Sequence, residues 1–229
     1  MRLSLAIVTV MMFGLFKALA TPEQAFWNWF EKNEKMLFSF ETNQDRVFGE
    51  LAAKMQRVQE SVTFEFGPVV EGKREFVISA DGIKDAFPAV ERLYASAPKL
   101  PRWVFIKFRP RRAPMDVDYE GVKVKVEDVF CTVEPDRNKA GITVYIRGYQ
   151  LSRKKQYTGI AFLMLDQALG EYDVETKVGF IEVRDFAEGS NLEKKPLNEV
   201  TQIFDAFWKY KKADEERGTS TGSSPAKTR

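Results

Sequence analysis

Phe76-Val77-Ile78-Ser79-Ala80-Asp81-Gly82 and Val144-Tyr145-Ile146-Arg147-Gly148 are the two stretches that decide the fold. Each is an apolar strand-like run that ends shortly before a glycine. Each is followed by a segment of helical period and then by another apolar run, Trp103-Val104-Phe105-Ile106 in the first case and Val178-Gly179-Phe180-Ile181 in the second. An alternating strand precedes each: Val62-Phe64-Phe66 before the first, and Gly121 to Val133 before the second. Residues 62–109 and 122–186 therefore both read β-β-α-β, and the chain reads as a duplication. The expected class is α+β, with a mainly antiparallel sheet of six or more strands and the N-terminal and C-terminal helices packed on it. Trp103 to Phe108 carries apolar residues on both of its faces at the start, the pattern of a central strand.

Working outward, Thr21-Pro22-Glu23-Gln24 has the form of a capping box with Pro in the first turn, which predicts a helix running to about Phe38. A second helix is expected from about Gln44 to Gln59, on the stripe Val47, Leu51, Met55 and Val58. Asp85 to Ala95 reads as a helix that tolerates Pro88 in its first turn. Ser152 to Leu169 reads as a helix closed by Gly170, and Pro196 to Lys212 as a last amphipathic helix. Residues 21–212 form the expected single α+β domain. The polar, Gly/Ser-rich stretch 213–229 is expected to be disordered.

Residues 1–20 (MRLSLAIVTVMMFGLFKALA) combine a basic start, an apolar run from Leu3 to Phe16 and a small-x-small end at Ala18-Leu19-Ala20. That is a secretory signal-peptide pattern, so the protein is expected to be exported, to the periplasm or beyond. Removing Arg2 and Lys17 from the 35 basic groups leaves 33 against 33 acidic ones. A mature chain of zero formal charge has no bulk attraction to nucleic acid or to anionic membrane. The chain holds no His and one Cys. These absences exclude Ser-His-Asp and Cys-His nucleophiles, imidazole metal ligands, an internal disulfide and CxxC motifs. Cys131, alone in a strand-like apolar segment, is expected to be buried and inert.

Four segments carry candidate chemistry. Asp116-Val117-Asp118-Tyr119-Glu120-Gly121 followed by Glu127 has the spacing of a calcium loop. However, Pro110 and Pro114 forbid the entering helix and VKVKV reads as strand, so an acidic turn is the simpler reading. Lys99 to Arg112 interleaves basic and aromatic residues. Arg102, Lys107, Arg109 and Arg111 are candidate anion-binding residues there, unless they only mark a strand's exit into solvent. Phe26-Trp27-Asn28-Trp29-Phe30 spreads four aromatics over an arc of roughly 160° of a helix. Either that helix lies in a groove, or Trp27 and Trp29 face a partner. Leu169-Gly170-Glu171-Tyr172-Asp173 places two carboxylates after a helix C-terminus, a position that disfavours anions, with Asp166 one turn earlier. Glu171 and Asp173 are the candidates for acid/base work there. P-loop, GxGxxG, GxSxG and SxxK patterns are absent.

Phe26-Trp27-x-Trp29-Phe30, Phe64-Glu65-Phe66, Val77 to Gly82 and Leu169 to Asp173 together resemble an uncharacterised bacterial domain family, over most of residues 22–190. The resemblance implies an α+β domain with ferredoxin-like β-β-α-β units. It implies no activity, cofactor or catalytic residue.

The function expected from these readings is that of an exported non-enzymatic binding module, its partner a protein or a small anionic ligand, with neither cofactor nor metal. The alternatives are a carboxylate-based glycan hydrolase and an anion-binding protein using residues 102–112.

Overall fold

A computed structural model describes residues 20–220. The signal-peptide reading of residues 1–20 falls almost wholly outside them, as does the end of the tail. Helix α1 (Pro22–Lys32) starts on the expected reciprocal cap, with Thr21 Oγ1 accepting from the Gln24 N–H at 3.2 Å and Gln24 Oε1 accepting from the Thr21 N–H at 3.1 Å. It stops short of Phe38. Asn33 leaves helical geometry and its Nδ2 donates to the Trp29 carbonyl, a side-chain bond that competes with the ladder. The chain resumes as α2 (Glu34–Phe38) and α3 (Gln44–Met55).

Next come β1 (Thr63–Val70), β2 (Lys73–Ser79), α4 (Phe87–Ala95) and β3 (Trp103–Lys107). Strands β1 and β2 are antiparallel, and β2 and β3 parallel, in the order β1-β2-β3. After a ribbon of β4 (Val117–Tyr119) and β5 (Val122–Val124) the chain forms β6 (Val129–Asp136), β7 (Lys139–Ile146), α5 (Lys154–Leu169), α6 (Glu171–Lys177) and β8 (Val178–Asp185). With β9 (Lys195–Pro196) these strands make a second sheet of order β8-β7-β6-β9, in which β7 and β8 are parallel. The last helix is α7 (Val200–Ser220).

The class is α+β, as expected, but each main sheet contains a parallel pair and the strands do not join into one sheet. After β3 the chain leaves its sheet before it pairs again in the β4–β5 ribbon. Phe108 turns into the left-handed region (φ 60°), and Pro110 and Pro114 offer no N–H. Nor is Gly121 to Val133 a single strand. The Val126 N–H is taken by Asp116 Oδ1 at 2.9 Å, and residues 126–128 make a turn before β6 begins. The β4–β5 hairpin turns on Glu120-Gly121, both left-handed (φ 47° and 76°), so the calcium-loop spacing belongs to a hairpin. Among the described residues no group of three or more His, Cys, Asp or Glu could hold a metal ion. None of their helices is long and apolar enough to cross a membrane.

Strand β3 is an edge, not a centre, and the middle strand of its sheet is β2. Helix α7 runs past Lys212, where disorder was expected to begin, because Ala213-Asp-Glu-Glu-Arg217 are tolerable to good helix residues.

Two apolar clusters hold these layers. One joins Phe26, Trp27 and Phe30 of α1 to Leu51 of α3, Phe76 and Ile78 of β2, and Leu93 of α4. Phe30 meets Phe76 at 5.1 Å and Trp103 at 4.9 Å, both edge-on, and each such pair adds about 0.5–1.5 kcal/mol beyond burial. The other joins Ile142, Val144 and Ile146 of β7 to Ile160 and Met164 of α5 and Phe204 of α7.

Candidate functional site

The two clusters meet where the ends of β2 and β3 receive the junction of α5 and α6. After Ser79 the chain turns through Asp81 and Gly82, both left-handed (φ 53° and 73°), and the turn directs the amides of Ala80 and Gly82 to one point. Gly170 breaks α5 from α6 at φ 79°, ψ 143°, and delivers Glu171 to that point. Glu171 is 0% exposed. Its Oε1 accepts from the N–H of Ala80 (2.8 Å) and Gly82 (3.3 Å), and its Oε2 from the N–H of Arg109 (3.0 Å). The Glu171 N–H returns a bond to the Arg109 carbonyl at 3.1 Å. The expected loop after a helix C-terminus is therefore the first turn of a new helix, where carboxylates are favoured.

Around this clamp lies an ionic seam. Arg109 pairs with Glu65, with Asp81 at 2.9 Å and with Asp166 at 4.0 Å. Burial pulls the Arg109 pKa down, but Glu65 and Asp81 outweigh it and raise it. Arg111 is held by both oxygens of Asp205 (3.0 and 2.9 Å) and by Asp173 at 2.6 Å, and donates to the Leu169 carbonyl at 2.9 Å. Arg112 reaches Glu75 at 2.6 Å. Burial, opposed by Arg109 and reinforced by Glu171, Glu175 and Asp81, pushes Asp166 up to about 7. Glu175 is also raised, by burial and then by Glu171, against Lys139 and Lys84.

Beside the seam opens a cleft of roughly 360 Å³, lined by Glu91, Lys107, Phe108, Arg111, Tyr172 and Asp173 among others. Tyr172 is 47% exposed and stacks on Phe87 at 5.7 Å, with Phe108 at 5.3 Å. Among the described residues Lys107 pairs with one carboxylate, Glu91 at 3.5 Å, with both side chains about half exposed, and its Nζ lies 6.0 Å from the Tyr94 ring.

The structure thus brings Lys107, Arg109, Arg111, Glu171 and Asp173 together and leaves the other three candidates elsewhere. Arg102 lies over the Phe38 ring at 3.5 Å. Trp27 is buried, with its Nε1–H on the Leu93 carbonyl at 2.8 Å, so it has no face left for a ligand. Trp29 is half-buried with Lys54 over its ring. The aromatic helix lies in a groove, and neither Trp lines the cleft. Glu171 and Asp173 are not a catalytic pair facing the cleft together. The first is sealed by amides, and the second is bound between Arg111 and Lys177.

Glu91, Phe108 and Tyr172 are cleft residues that motif reading missed. The signal for Phe108 and Tyr172 was present in their aromatic character at segment ends. Glu91 carried none.

Comparison with protein-family models, curated proteins and solved structures gave no match. What fold and site define is an α+β protein of two mixed sheets locked by a buried carboxylate and an ionic seam.

Proposed function

We propose that the protein is an exported, non-enzymatic binding module whose cleft between the end of β3 and the α5–α6 turn takes a small ligand with an anionic group and a flat apolar body. The observation that carries this reading is the presence of Lys107 and Tyr172 in one cleft. A weakly paired ammonium there accompanies a half-exposed aromatic ring already stacked on Phe87. The non-enzymatic part is supported by the commitment of the other charges to one another, since Arg109, Arg111, Glu171 and Asp173 all have partners within the fold. Export rests on the sequence pattern of residues 1–20.

The reading also takes the chain as a duplicated, ferredoxin-like ββαβ unit. Support comes from the pairing order of both main sheets: a strand, its antiparallel neighbour, a helix, then a parallel strand. Phe76-Val77-Ile78 and Val144-Tyr145-Ile146 fall on the corresponding second strands.

Phenyl phosphate is a suitable probe. Titrated into ¹⁵N-labelled protein, it is expected to shift amides at 107–111 and 169–173, with an affinity that weakens as salt rises. Lys107→Ala and Tyr172→Ser should each weaken it severalfold. No shift at millimolar probe, or shifts spread evenly over the surface, would overturn the reading.

A further inference from the structure

Sheet edges present unpaired backbone groups, and folded proteins protect them. Among the described residues the two main sheets end in β1, β3, β8 and β9. Strand β1 loses register between Phe66 and Val69, at Gly67-Pro68. Strand β8 carries Glu182, Arg184 and Asp185, and β9 is two residues long and contains Pro196. Strand β3 has none of these protections. It reads Trp103-Val104-Phe105-Ile106-Lys107, with no Pro, Gly or bulge and no charge before its last residue. Arg102, just before it, is drawn back over the Phe38 ring of its own core.

The backbone of β3 has a defined free side. The Arg102 carbonyl accepts from the Arg74 N–H at 2.8 Å and the Phe108 N–H donates to the Ile78 carbonyl at 2.7 Å, so the even-numbered residues address β2. By alternation Phe105, at the centre of the strand, turns both its N–H and its C=O away from the sheet. Val104 is 40% exposed, and Ile106, on the same face, is only half-buried. Alongside, an open groove of roughly 520 Å³ runs between Trp103, Phe105 and the loop from Tyr94 to Pro101, whose Leu100 carbonyl takes the Trp103 N–H at 3.1 Å and leaves Phe105 facing the groove.

We propose that β3 pairs antiparallel with β3 of a second copy of this chain, across a two-fold axis at Phe105. The strand is its own complement in that register. Phe105 exchanges both backbone bonds with Phe105 of the second copy. Val104 faces Ile106 of the second copy, covering apolar surface that each chain alone leaves to water. Charge agrees with the same register. Lys107 comes opposite the buried Trp103 of the second copy, whose Nε1–H is held by Glu34 at 3.2 Å, so an ammonium approaches a carboxylate. The two three-stranded sheets become one of six strands, and neither copy keeps an open β3 edge.

Two measurements on the purified protein test this. Sedimentation velocity from about 1 to 100 µM should show a monomer–dimer equilibrium. Val104→Lys should raise its dissociation constant at least tenfold, whereas Leu151→Lys, at an exposed position off the edge, should leave it unchanged. Cysteines then read the register. Val104→Cys mixed with Ile106→Cys should form an intermolecular disulfide, because directly opposed non-hydrogen-bonded residues bring their Cα atoms to about 4.5 Å. Either variant alone should not, because like positions lie on the diagonal at about 7–8 Å. Cys131 is buried and does not compete. A chain monomeric at 100 µM would leave the edge to an extended segment of another protein and overturn the proposal. So would a dimer indifferent to Val104→Lys, or cross-linking that ignores the mixture.

Discussion

Glu171 accepts a hydrogen bond from the backbone N–H of Ala80 at 2.8 Å, across 91 positions of sequence. One buried carboxylate thereby ties the end of β2 to the start of α6, and through the Arg109 amide it ties the end of β3 as well. The clamp is a stabilising device before it is anything else. Its three donors are backbone amides that the strand ends leave without ladder partners.

Replacing Glu171 with Gln keeps the shape and removes the charge. The new amide NH₂ must then face at least one N–H donor that it cannot satisfy. Charge-assisted bonds to buried carboxylates are the strong ones, so Glu171→Gln should lower unfolding stability by about 2–4 kcal/mol. Urea denaturation followed by tryptophan fluorescence measures this. A loss below about 0.5 kcal/mol would mean that the clamp does not hold the two halves together.

Asp166 makes the same seam sensitive to pH. Its folded value, about 7, lies above its ordinary 3.8, so the folded chain binds the proton more tightly than the unfolded chain. Its contribution is therefore most favourable at low pH and is lost as pH rises from about 4 through 7. Asp166→Asn removes that dependence. The stability of the variant relative to the parent should grow by about 1–2 kcal/mol between pH 5.5 and 8, read from urea midpoints at fixed salt. Glu175, raised in the same direction, leaves a residual slope in the variant. An unchanged difference across that range would show that Asp166 is ionised and comfortable in the fold.

Much of this architecture could be read from local patterns. The Thr21–Gln24 cap, the Val47-Leu51-Met55 stripe, Pro88 in a first turn and Gly170 closing α5 all depend on residues within one or two turns of each other. The misreadings have a common cause. Whether β3 is central depends on which strands flank it, and five residues carry no record of that. Whether Arg109 and Arg111 are free for a ligand depends on Glu65, Asp81, Asp173 and Asp205, up to 94 positions away. A basic run looks the same whether its partners are a ligand or its own fold. The Glu171 carboxylate is legible as an acid after a glycine, but not as the ligand of three amides on another sheet.

Gly170 shows how narrow the junction is. It sits at φ 79°, and a Cβ there would lie 3.2 Å from the Arg109 carbonyl oxygen and 3.3 Å from the Arg111 amide. Backbone, unlike a side-chain tip, cannot swing aside. Gly170→Ala should cost about 1–3 kcal/mol through left-handed strain and crowding together. Loss of phenyl phosphate shifts should accompany it, since Arg109 and Arg111 border the cleft. A variant as stable as the parent would mean that the α5–α6 turn relaxes freely.

Cys131 offers a test of the second core that needs no substitution. It lies on β6, is 0% exposed, and packs among the residues that join the second sheet to α5 and α7. Burial, with a smaller push from Glu199, raises its thiol to about 12, so almost none is thiolate at neutral pH. Reaction with a disulfide reagent such as DTNB must therefore wait for the second sheet to open. In native buffer the thiol should stay unmodified for hours, whereas in about 6 M urea one thiol per chain should react within minutes. Glu171→Gln should react faster than the parent in native buffer if the clamp and the second sheet open as one cooperative unit. Parent-like protection in that variant, combined with its lowered urea midpoint, would instead place the seam and the second sheet in separate opening units.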